Sequence, residues 1–222
     1  MKQKKSLLVL GIAAGFMAVL FLPGLIGAGD LDPANTPGPT MHTLEEIYNK
    51  LDQLIPGNGL ASVEKTGQTT SFATGDDGDL QMGIPWPALR FTDNEDGTVT
   101  DNLTGLIWLT NADCFGQKPW TLALSAAKEL ASGSCDLTDG SRAGDWRLPN
   151  VKELQSLIDF GEIFPALPID HPFTNVQSHY YWSSTTYVGN TLYAWTVYMY
   201  DGFVNYHSKA NYYYVWPVRG GN

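Results

Sequence analysis

Residues 145–159 read Asp145-Trp-Arg-Leu-Pro-Asn-Val-Lys-Glu-Leu-Gln-Ser-Leu-Ile-Asp159 and contain a helix start. Asn150 and Glu153 have the spacing of a capping box, in which each side chain accepts a hydrogen bond from the other residue's backbone N–H. The apolar residues that follow recur at helical spacing, and Gly161 supplies a stop. The stretch therefore predicts a helix over residues 151–160.

Upstream of this helix, the sequence predicts an antiparallel meander. Residues 90–93 and 98–101 are rich in strand formers and flank an Asp-Gly dipeptide, which supplies the positive φ that a hairpin turn needs. A second turn leads into a third strand at residues 106–109. Residues 121–131 then place leucines and alanines among good helix formers, which predicts a first domain helix.

Downstream of residue 180, the spacing changes to the period of two that is typical of strands. Runs of β-formers occupy residues 181–184, 192–200 and 203–208, and residues 212–219 read as one further strand. Strands, two helices and then more strands within one domain predict an α+β fold with antiparallel strands.

Aromatic residues are concentrated in these last strands, where ten of the 11 tyrosines lie between Tyr180 and Tyr214. Side chains alternate along a strand, so residues 192–200 present two faces, of which one must be buried. One face carries Tyr193, Trp195, Val197 and Met199, and the other carries Leu192, Ala194, Thr196, Tyr198 and Tyr200.

Tyrosine and tryptophan mixed with Asn, Ser and His is the composition of binding loops, because rigid rings supply contact area and short polar groups adapt. The alternative is that the tyrosines fill a two-sided sheet and serve packing. The binding interpretation predicts a ligand surface made of Tyr187, Tyr193, Trp195, Tyr198, Tyr200, Asn205, Tyr206, His207, Asn211, Tyr212 and Tyr213.

Composition excludes several classes of protein. The 222 residues include 13 basic and 23 acidic side chains, for a formal charge of −10, and 43% of them are hydrophobic. The chain is too apolar for a disordered protein. Its glycines and prolines follow no three-residue period, which excludes collagen. The negative charge argues against binding a phosphate backbone, so we expect no nucleic-acid partner.

The N-terminus has the pattern of an export signal. Lysines within residues 1–5 precede an apolar run and then small residues, which predicts a signal peptide over residues 1–28. The run is long enough that an uncleaved signal anchor is the competing interpretation, and it would be the only membrane contact. Cleavage would remove three lysines and no acidic residue, leaving a charge of −13 on an extracellular, cell-surface or periplasmic protein.

A linker at residues 29–40 precedes a short helix predicted over residues 41–56. Thr43 and Glu46 form a capping pair, and an apolar seam follows at Leu44, Ile47, Leu51 and Leu54. We expect either an oligomerising stalk that forms a homotrimer or a helix packed on its own domain. Residues 57–87 read as an irregular entrance segment, and residues 88–222 as the α+β domain.

Cys114 and Cys135 are the only cysteines. An even count in an exported chain predicts a disulfide, which would stabilise the fold by roughly 3 kcal/mol through loop closure. The spacing lacks a C-x-x-C motif, which disfavours a redox or metal pair.

Nucleophile, zinc-protease and nucleotide-binding motifs are absent from the sequence, so we expect no enzyme. His207 with Asp201 is conceivable as a catalytic pair, but both fit solvent-facing positions near a turn. Asp76, Asp77 and Asp79 form a weak calcium candidate, because hard cations want several oxygens at once. The same carboxylates are also typical of turns.

Three stretches together resemble the Lcl C-terminal domain family, the carboxy-terminal domain of a bacterial collagen-like adhesin. They are Phe91 to Gly105 with Trp108, Asp145 to Asp159, and Tyr181-Trp-Ser-Ser-Thr-Thr186 running to Val215-Trp-Pro-Val-Arg219. The Trp-Arg-Leu-Pro and Trp-Ser-Ser motifs are also distantly similar to the formylglycine-generating-enzyme version of the C-type-lectin fold.

The resemblance implies a C-type-lectin-like domain whose last strands present a ligand surface. Trp108, Trp146 and Trp182 lie in the shared motifs and are expected in the core, and Arg147 and Arg219 are expected to pair with buried carbonyls or carboxylates. The adhesin's collagen stalk is missing here, and the acidic charge disfavours sulfated glycans.

The sequence therefore predicts an exported, adhesin-like binding module for a glycan or a cell-surface protein. One alternative is a structural subunit of an envelope or extracellular assembly, in which the tyrosine face meets another copy. Another is a ligand-binding protein diversified by a retroelement, since single adenine changes in an Asn codon give the Tyr, Ser, His and Asp that crowd the C-terminus. A reverse transcriptase gene and a template repeat beside the locus would be required for that alternative.

Overall fold

The computed structural model describes residues 63–220. The predicted leader, linker and stalk helix lie outside the described residues. In chain order the elements are α1 (Asp77–Leu80), β1 (Phe91–Asp93), β2 (Thr98–Asp101), β3 (Ile107–Leu109), β4 (Gln117–Lys118), α2 (Trp120–Glu129), α3 (Val151–Gln155), β5 (Tyr180–Thr186), β6 (Tyr193–Tyr198), β7 (Val204–Ser208), β8 (Tyr213–Tyr214) and β9 (Val218–Arg219). Between residues 63 and 220, no helix is both long and apolar enough to cross a membrane.

The first sheet has the order β1-β2-β3-β9 and is antiparallel throughout. Its first three strands confirm the predicted meander. Gly97 turns the first hairpin with a φ of +85°, and a Cβ there would lie 2.7 Å from the Asp136 carbonyl oxygen. The turn therefore needs glycine both for its backbone conformation and for its close contact with the neighbouring loop.

The second sheet has the order β4-β8-β5-β6-β7, with β7 at its edge. Its pairs are antiparallel except for β5 with β8, which is parallel. The domain is thus a mixed α and β fold with mostly antiparallel sheets and few helices, as the α+β prediction required.

The prediction of one continuous strand over residues 212–219 is wrong. The structure divides it into β8, in the second sheet, and β9, in the first. The chain crosses between the sheets at Trp216 and Pro217, where the Trp216 indole N–H donates to the Leu109 carbonyl at 2.8 Å. Pro217 has no N–H to continue a ladder, and its carbonyl accepts from the Leu109 N–H.

The predicted helix at residues 151–160 begins as expected but ends early, at Gln155. The capping box is complete: the Asn150 side chain accepts from the Glu153 N–H and the Glu153 carboxylate accepts from the Asn150 N–H. Beyond the helix, the Asp159 and Phe160 N–H groups donate to the carbonyls of Ala166 and Thr66. Tertiary partners thus take the donors that a longer helix would use. The helix predicted at residues 121–131 is confirmed as α2, shifted by one or two residues.

The motif that contains α3, residues 145–159, contacts the Trp-Ser-Ser motif of β5. The Ser184 N–H donates to the Pro149 carbonyl at 2.7 Å, and the Thr185 hydroxyl accepts from the Val151 N–H at 3.1 Å. This contact falls at an irregularity in β5 between Trp182 and Thr186. The Trp-Ser-Ser stretch therefore holds the start of the helix against the second sheet.

Both faces of residues 192–200 carry buried side chains, which goes beyond the one buried face that strand alternation required. Val197 and Met199 on one face and Ala194 and Thr196 on the other are all fully buried. Val197 and Met199 belong to the larger core with α3, whereas Ala194 packs with Ala123 and Ala127 of α2. The second sheet is covered on both sides because a helix packs on each face.

The predicted core is confirmed, and both arginines pair with carboxylates, of which that of Asp139 is buried and that of Glu153 is partly exposed. Trp108, Trp146 and Trp182 are at most 1% exposed. Arg147 binds the Glu153 carboxylate with two hydrogen bonds at 2.7 and 2.8 Å, and Arg219 lies 3.1 Å from the buried Asp139 carboxylate.

Cys114 and Cys135 form the predicted disulfide, with 5.7 Å between their Cα atoms. The bridge lies beside the larger core. Within the described part of the entrance segment, the structure is irregular apart from the one-turn helix α1 and a bridge between Glu64 and Ile84.

Candidate binding surface

The aromatic residues of the second sheet divide between its two faces. Trp195 lies opposite Tyr206 in the β6–β7 register, and Tyr198 lies opposite Tyr180 in the β5–β6 register. Trp195 and Tyr198 are three positions apart on one strand, so their side chains point to opposite faces. The predicted single surface is therefore two surfaces.

The first group, here called the Tyr–Trp cluster, consists of Tyr187, Tyr193, Trp195 and Tyr206. The Tyr187 and Tyr206 rings are parallel, with centroids 4.1 Å apart and planes inclined by 5°. The Trp195 ring stands nearly perpendicular to both, at 5.7 and 5.5 Å. Tyr206 is 40% exposed on the edge strand, so the rings hold each other rigid while part of their surface stays in solvent.

The second group, here called the His–Tyr shelf, consists of His179, Tyr180, Tyr198, His207 and Tyr213. Tyr180 is central: its ring centroid lies 4.5 Å from those of Tyr198 and His207 and 5.3 Å from that of Tyr213. Strands β8, β5, β6 and β7 each contribute a ring, and His179 precedes β5 and lies 5.8 Å from Tyr213. All five side chains are half-buried.

The Thr196 hydroxyl contacts the His207 ring. The Thr196 hydroxyl donates its one hydrogen to the Asn205 carbonyl at 3.1 Å, and the same hydroxyl oxygen lies 3.1 Å from His207 Nδ1. With the hydroxyl hydrogen on the Asn205 carbonyl, Nδ1 is the donor and Nε2 is an acceptor. Burial, and then the nearby His179, lower the pKa of His207, so the neutral ring is favoured.

Acidification is expected to destabilise the domain through His207. Its folded pKa lies below the ordinary value of about 6.5, so the unfolded chain binds the proton more readily and stability falls as the pH drops below that value. Denaturant unfolding from about pH 7.5 to about pH 5 should show a steeper loss for the wild type than for His207→Asn, in which an amide can still donate to Thr196.

Both proteins keep His171, whose pKa burial also lowers, and the same carboxylates. The difference between their two pH profiles therefore isolates His207. Parallel profiles would contradict the prediction.

Several tyrosine hydroxyls are available to a ligand. Within residues 63–220, no protein hydrogen bond reaches the hydroxyls of Tyr187, Tyr193, Tyr206, Tyr180 or Tyr198, and none of these oxygens is buried without a partner. Burial, and then the neighbouring Tyr198 and Tyr213, raise the pKa of Tyr180, so its hydroxyl stays protonated and can donate.

The other residues predicted to bind the ligand lie outside the two aromatic groups. Asn205 is already used, because its amide oxygen accepts the Tyr206 N–H at 2.8 Å and its carbonyl accepts from Thr196. Asn211 and Tyr212 are exposed in the β7–β8 loop, with Tyr212 62% exposed. Tyr200 lies outside both groups proper, against Phe164 at 4.1 Å and Tyr198 at 5.6 Å.

Sequence reasoning missed His179 and Tyr180 as members of the shelf. Tyr180 could have been found from strand alternation, since it shares a face with Trp182. The parallel pairing of Tyr181 with Tyr214, which brings Tyr213 beside Tyr180, has no local sequence signal.

The calcium candidates serve the loop around α1. Asp76 caps the helix by accepting from the Asp79 N–H, and it also accepts from the N–H groups of Phe72 and Ala73. Backbone hydrogen bonds, first that of Phe72, lower the pKa of Asp76. Asp77 accepts from the Thr66 hydroxyl, and Asp79 accepts from the Gly75 N–H. Among the described residues, no three His, Cys, Asp or Glu side chains converge as metal ligands.

Asp201, the conceivable catalytic partner of His207, accepts a hydrogen bond from its own turn. Asp201 accepts from the Phe203 N–H in the β6–β7 turn at 3.0 Å, whereas His207 Nδ1 lies beside Thr196. The structure thus gives both residues local partners.

The family model for the Lcl C-terminal domain matches residues 97–219. The chain belongs to the Lcl C-terminal domain family. No curated protein matches the chain. Both aromatic groups and the disulfide lie inside the matched stretch, so the Lcl domain contains the whole candidate surface.

Proposed function

We propose that this Lcl domain is the non-enzymatic head of an exported binding protein and that it holds a glycan on the Tyr–Trp cluster. The observation that carries the proposal is the packed yet partly exposed group of Tyr187, Tyr193, Trp195 and Tyr206, with free hydroxyls, at an edge strand. Apolar sugar faces pack on aromatic rings, and phenols bind sugar hydroxyls. Aromatic residues of this kind dominate binding energy because they lose little conformational freedom.

Exposed apolar residues extend this surface. Val188 and Leu192, in the turn that joins β5 to β6, are 92% and 70% exposed. Within the same region the Lys209 ammonium lies 3.8 Å from the Trp120 ring and donates to the Thr186 hydroxyl. The charge of −10 favours a neutral or amine-bearing glycan over a sulfated one. Presentation of a ligand by the last strands is also what a C-type-lectin-like arrangement would provide.

A glycan array probed with the exported form tests the proposal. Tyr187→Ala and Tyr206→Ala should each weaken the best signals about tenfold or more, which corresponds to about 1.4 kcal/mol. Tyr198→Ala and Tyr213→Ala, on the other face, should have smaller effects. Phe72→Ala is the control, because Phe72 is a 79% exposed aromatic residue of the entrance segment.

Absence of glycan binding, or binding that the two cluster variants leave unchanged, would contradict the glycan proposal. Binding to a cell-surface protein that Tyr206→Ala abolishes would retain the surface and replace the ligand class.

An assembly subunit is the competing proposal, with β7 as the exposed edge. The Asn205 side chain occupies the Tyr206 N–H, which reduces what the edge can offer to a second strand. This favours the binder. Light scattering separates the two, since the binder is expected as a discrete species and the subunit as open-ended polymers.

A further inference from the structure

A cavity of about 470 Å³ lies away from both aromatic groups, between the entrance segment and the loop after α3. Its walls include Lys65, Gly67, Trp86, Asp159 and Glu162. The Phe160 N–H donates to the Thr66 carbonyl at 2.9 Å and joins the two sides. Within the entrance segment, the Trp86 indole N–H donates to the Lys65 carbonyl at 3.0 Å. The wall that the entrance segment forms lies before residue 97, so it is outside the part of the chain that matches the family.

Asp159 is the chemically unusual group in this cavity. Asp159 is only 8% exposed, and one of its carboxylate oxygens accepts a hydrogen bond from the Gly161 N–H at 2.8 Å. Among the described residues, the other oxygen accepts no hydrogen bond. Burial, and then the Glu162 carboxylate, raise the pKa of Asp159, and these effects outweigh the lowering by the Gly161 N–H and the Arg90 charge.

Gly67 brings the carboxylate and the indole of Trp86 together. A Cβ at Gly67 would lie 2.2 Å from Asp159 Oδ1 and 2.7 Å from Trp86 Cη2, so these two atoms are less than about 5 Å apart. Gly67 has a φ of +90°, a backbone conformation that glycine adopts freely. Because Gly67 has no side chain, the acid and the aromatic ring can both pack against its backbone and lie side by side in the cavity wall.

The nearest arginine does not satisfy Asp159. Arg90 lies with its guanidinium 4.7 Å from the Trp86 ring centroid, but its hydrogen bonds go to Asp101 and to the Ser156 carbonyl. A cation from outside the domain could bind where Arg90 does not reach.

A buried carboxylate, a second carboxylate and an aromatic ring are the groups that bind an organic cation. The lining has two carboxylates against one ammonium, that of Lys65, and the acidic protein attracts cations over a longer range. Pro168 and the 79% exposed Ile169 at the rim offer apolar contact to an aliphatic stem.

We propose that this cavity binds the cationic side chain of an arginine or lysine in a partner polypeptide, with Asp159 as the main anion and Trp86 as the aromatic wall. The site is separate from the glycan surface and does not depend on it.

Titration of the full chain with N-acetyl-argininamide tests the proposal, with N-acetyl-citrullinamide as the uncharged match. Tryptophan fluorescence and amide NMR shifts at Asp159 and Gly161 report binding. The arginine probe should bind saturably at millimolar concentration, and the citrulline probe should bind at least about tenfold more weakly.

Asp159→Asn should reduce binding of the arginine probe about tenfold, since an amide keeps the acceptor for Gly161 and removes the charge. Glu162→Gln should reduce it less. Asp170→Asn is the matched control, because Asp170 is exposed nearby and does not line the cavity.

Equal binding of the two probes, no saturable binding, or an arginine affinity that Asp159→Asn and Glu162→Gln both leave unchanged would overturn the proposal. If Asp159→Asn unfolds, Glu162→Gln and the probe pair still decide it. Glycan-surface variants such as Tyr206→Ala should leave the arginine affinity unchanged, which separates failure here from failure of the glycan proposal.

Discussion

Replacing Asp101 by alanine is expected to lower the free energy of unfolding by about 3–5 kcal/mol. Asp101 is fully buried at the end of β2, and its carboxylate accepts from the Arg90 guanidinium at 2.8 and 3.1 Å. It also accepts from the Leu103 N–H and the Thr104 hydroxyl. Removing the carboxylate would leave the 7% exposed Arg90 as an uncompensated buried charge and would leave those two donors unpaired.

Denaturant unfolding followed by tryptophan fluorescence measures this change. Asp170→Ala, at an exposed carboxylate, should stay within about 0.5 kcal/mol of the wild type. The double variant Arg90→Met with Asp101→Leu should recover much of the loss, since replacing both charges removes the unpaired one. An Asp101→Ala protein as stable as the control would show that the ion pair does not support the fold.

Trp216→Ala is expected to have an effect of similar size, about 3–5 kcal/mol. Trp216 is fully buried where the chain crosses between the two sheets, and its ring packs edge-on against Phe173 at 4.8 Å and Trp108 at 5.7 Å. Truncation leaves a large cavity and removes the hydrogen bond to the Leu109 carbonyl. The lost packing and the lost hydrogen bond both belong to the contact that joins the two sheets.

Trp216→Phe, which keeps a ring but loses the indole N–H, should be intermediate. Trp195→Ala is the comparison at a half-buried tryptophan, where water can fill the space and the loss should be smaller. Equal effects at Trp216 and Trp195 would contradict the assigned role of the crossing.

Local chemistry made some elements predictable. The capping box at Asn150 formed as expected because its hydrogen bonds join residues three apart. The Asp-Gly hairpin at Gly97 was predictable from the turn conformation that glycine favours. The disulfide followed from there being two cysteines in a chain that the sequence predicts to be exported. Each of these depends on neighbours in sequence or on counting, so tertiary context was not required.

Other elements depended on partners distant in sequence. Helix α3 ends at Gln155, and the Asp159 and Phe160 N–H groups donate to Ala166 and Thr66 instead of continuing the helix. Neither acceptor is recognisable as a partner from the pattern. The periodicity of residues 151–160 was helical throughout, so it could not reveal the end.

The tyrosine-rich C-terminus shows both sides of this distinction. The sequence by itself determined that rigid aromatic side chains alternate along the last strands, since strand spacing and composition are local properties. Only the tertiary structure decided that helices cover both faces, that the rings form two separate groups, and that Tyr180 and His179 join the shelf. The physical reason is that burial and side-chain contact depend on which strands pair and which helix packs on each face, and those pairings join residues far apart in the chain.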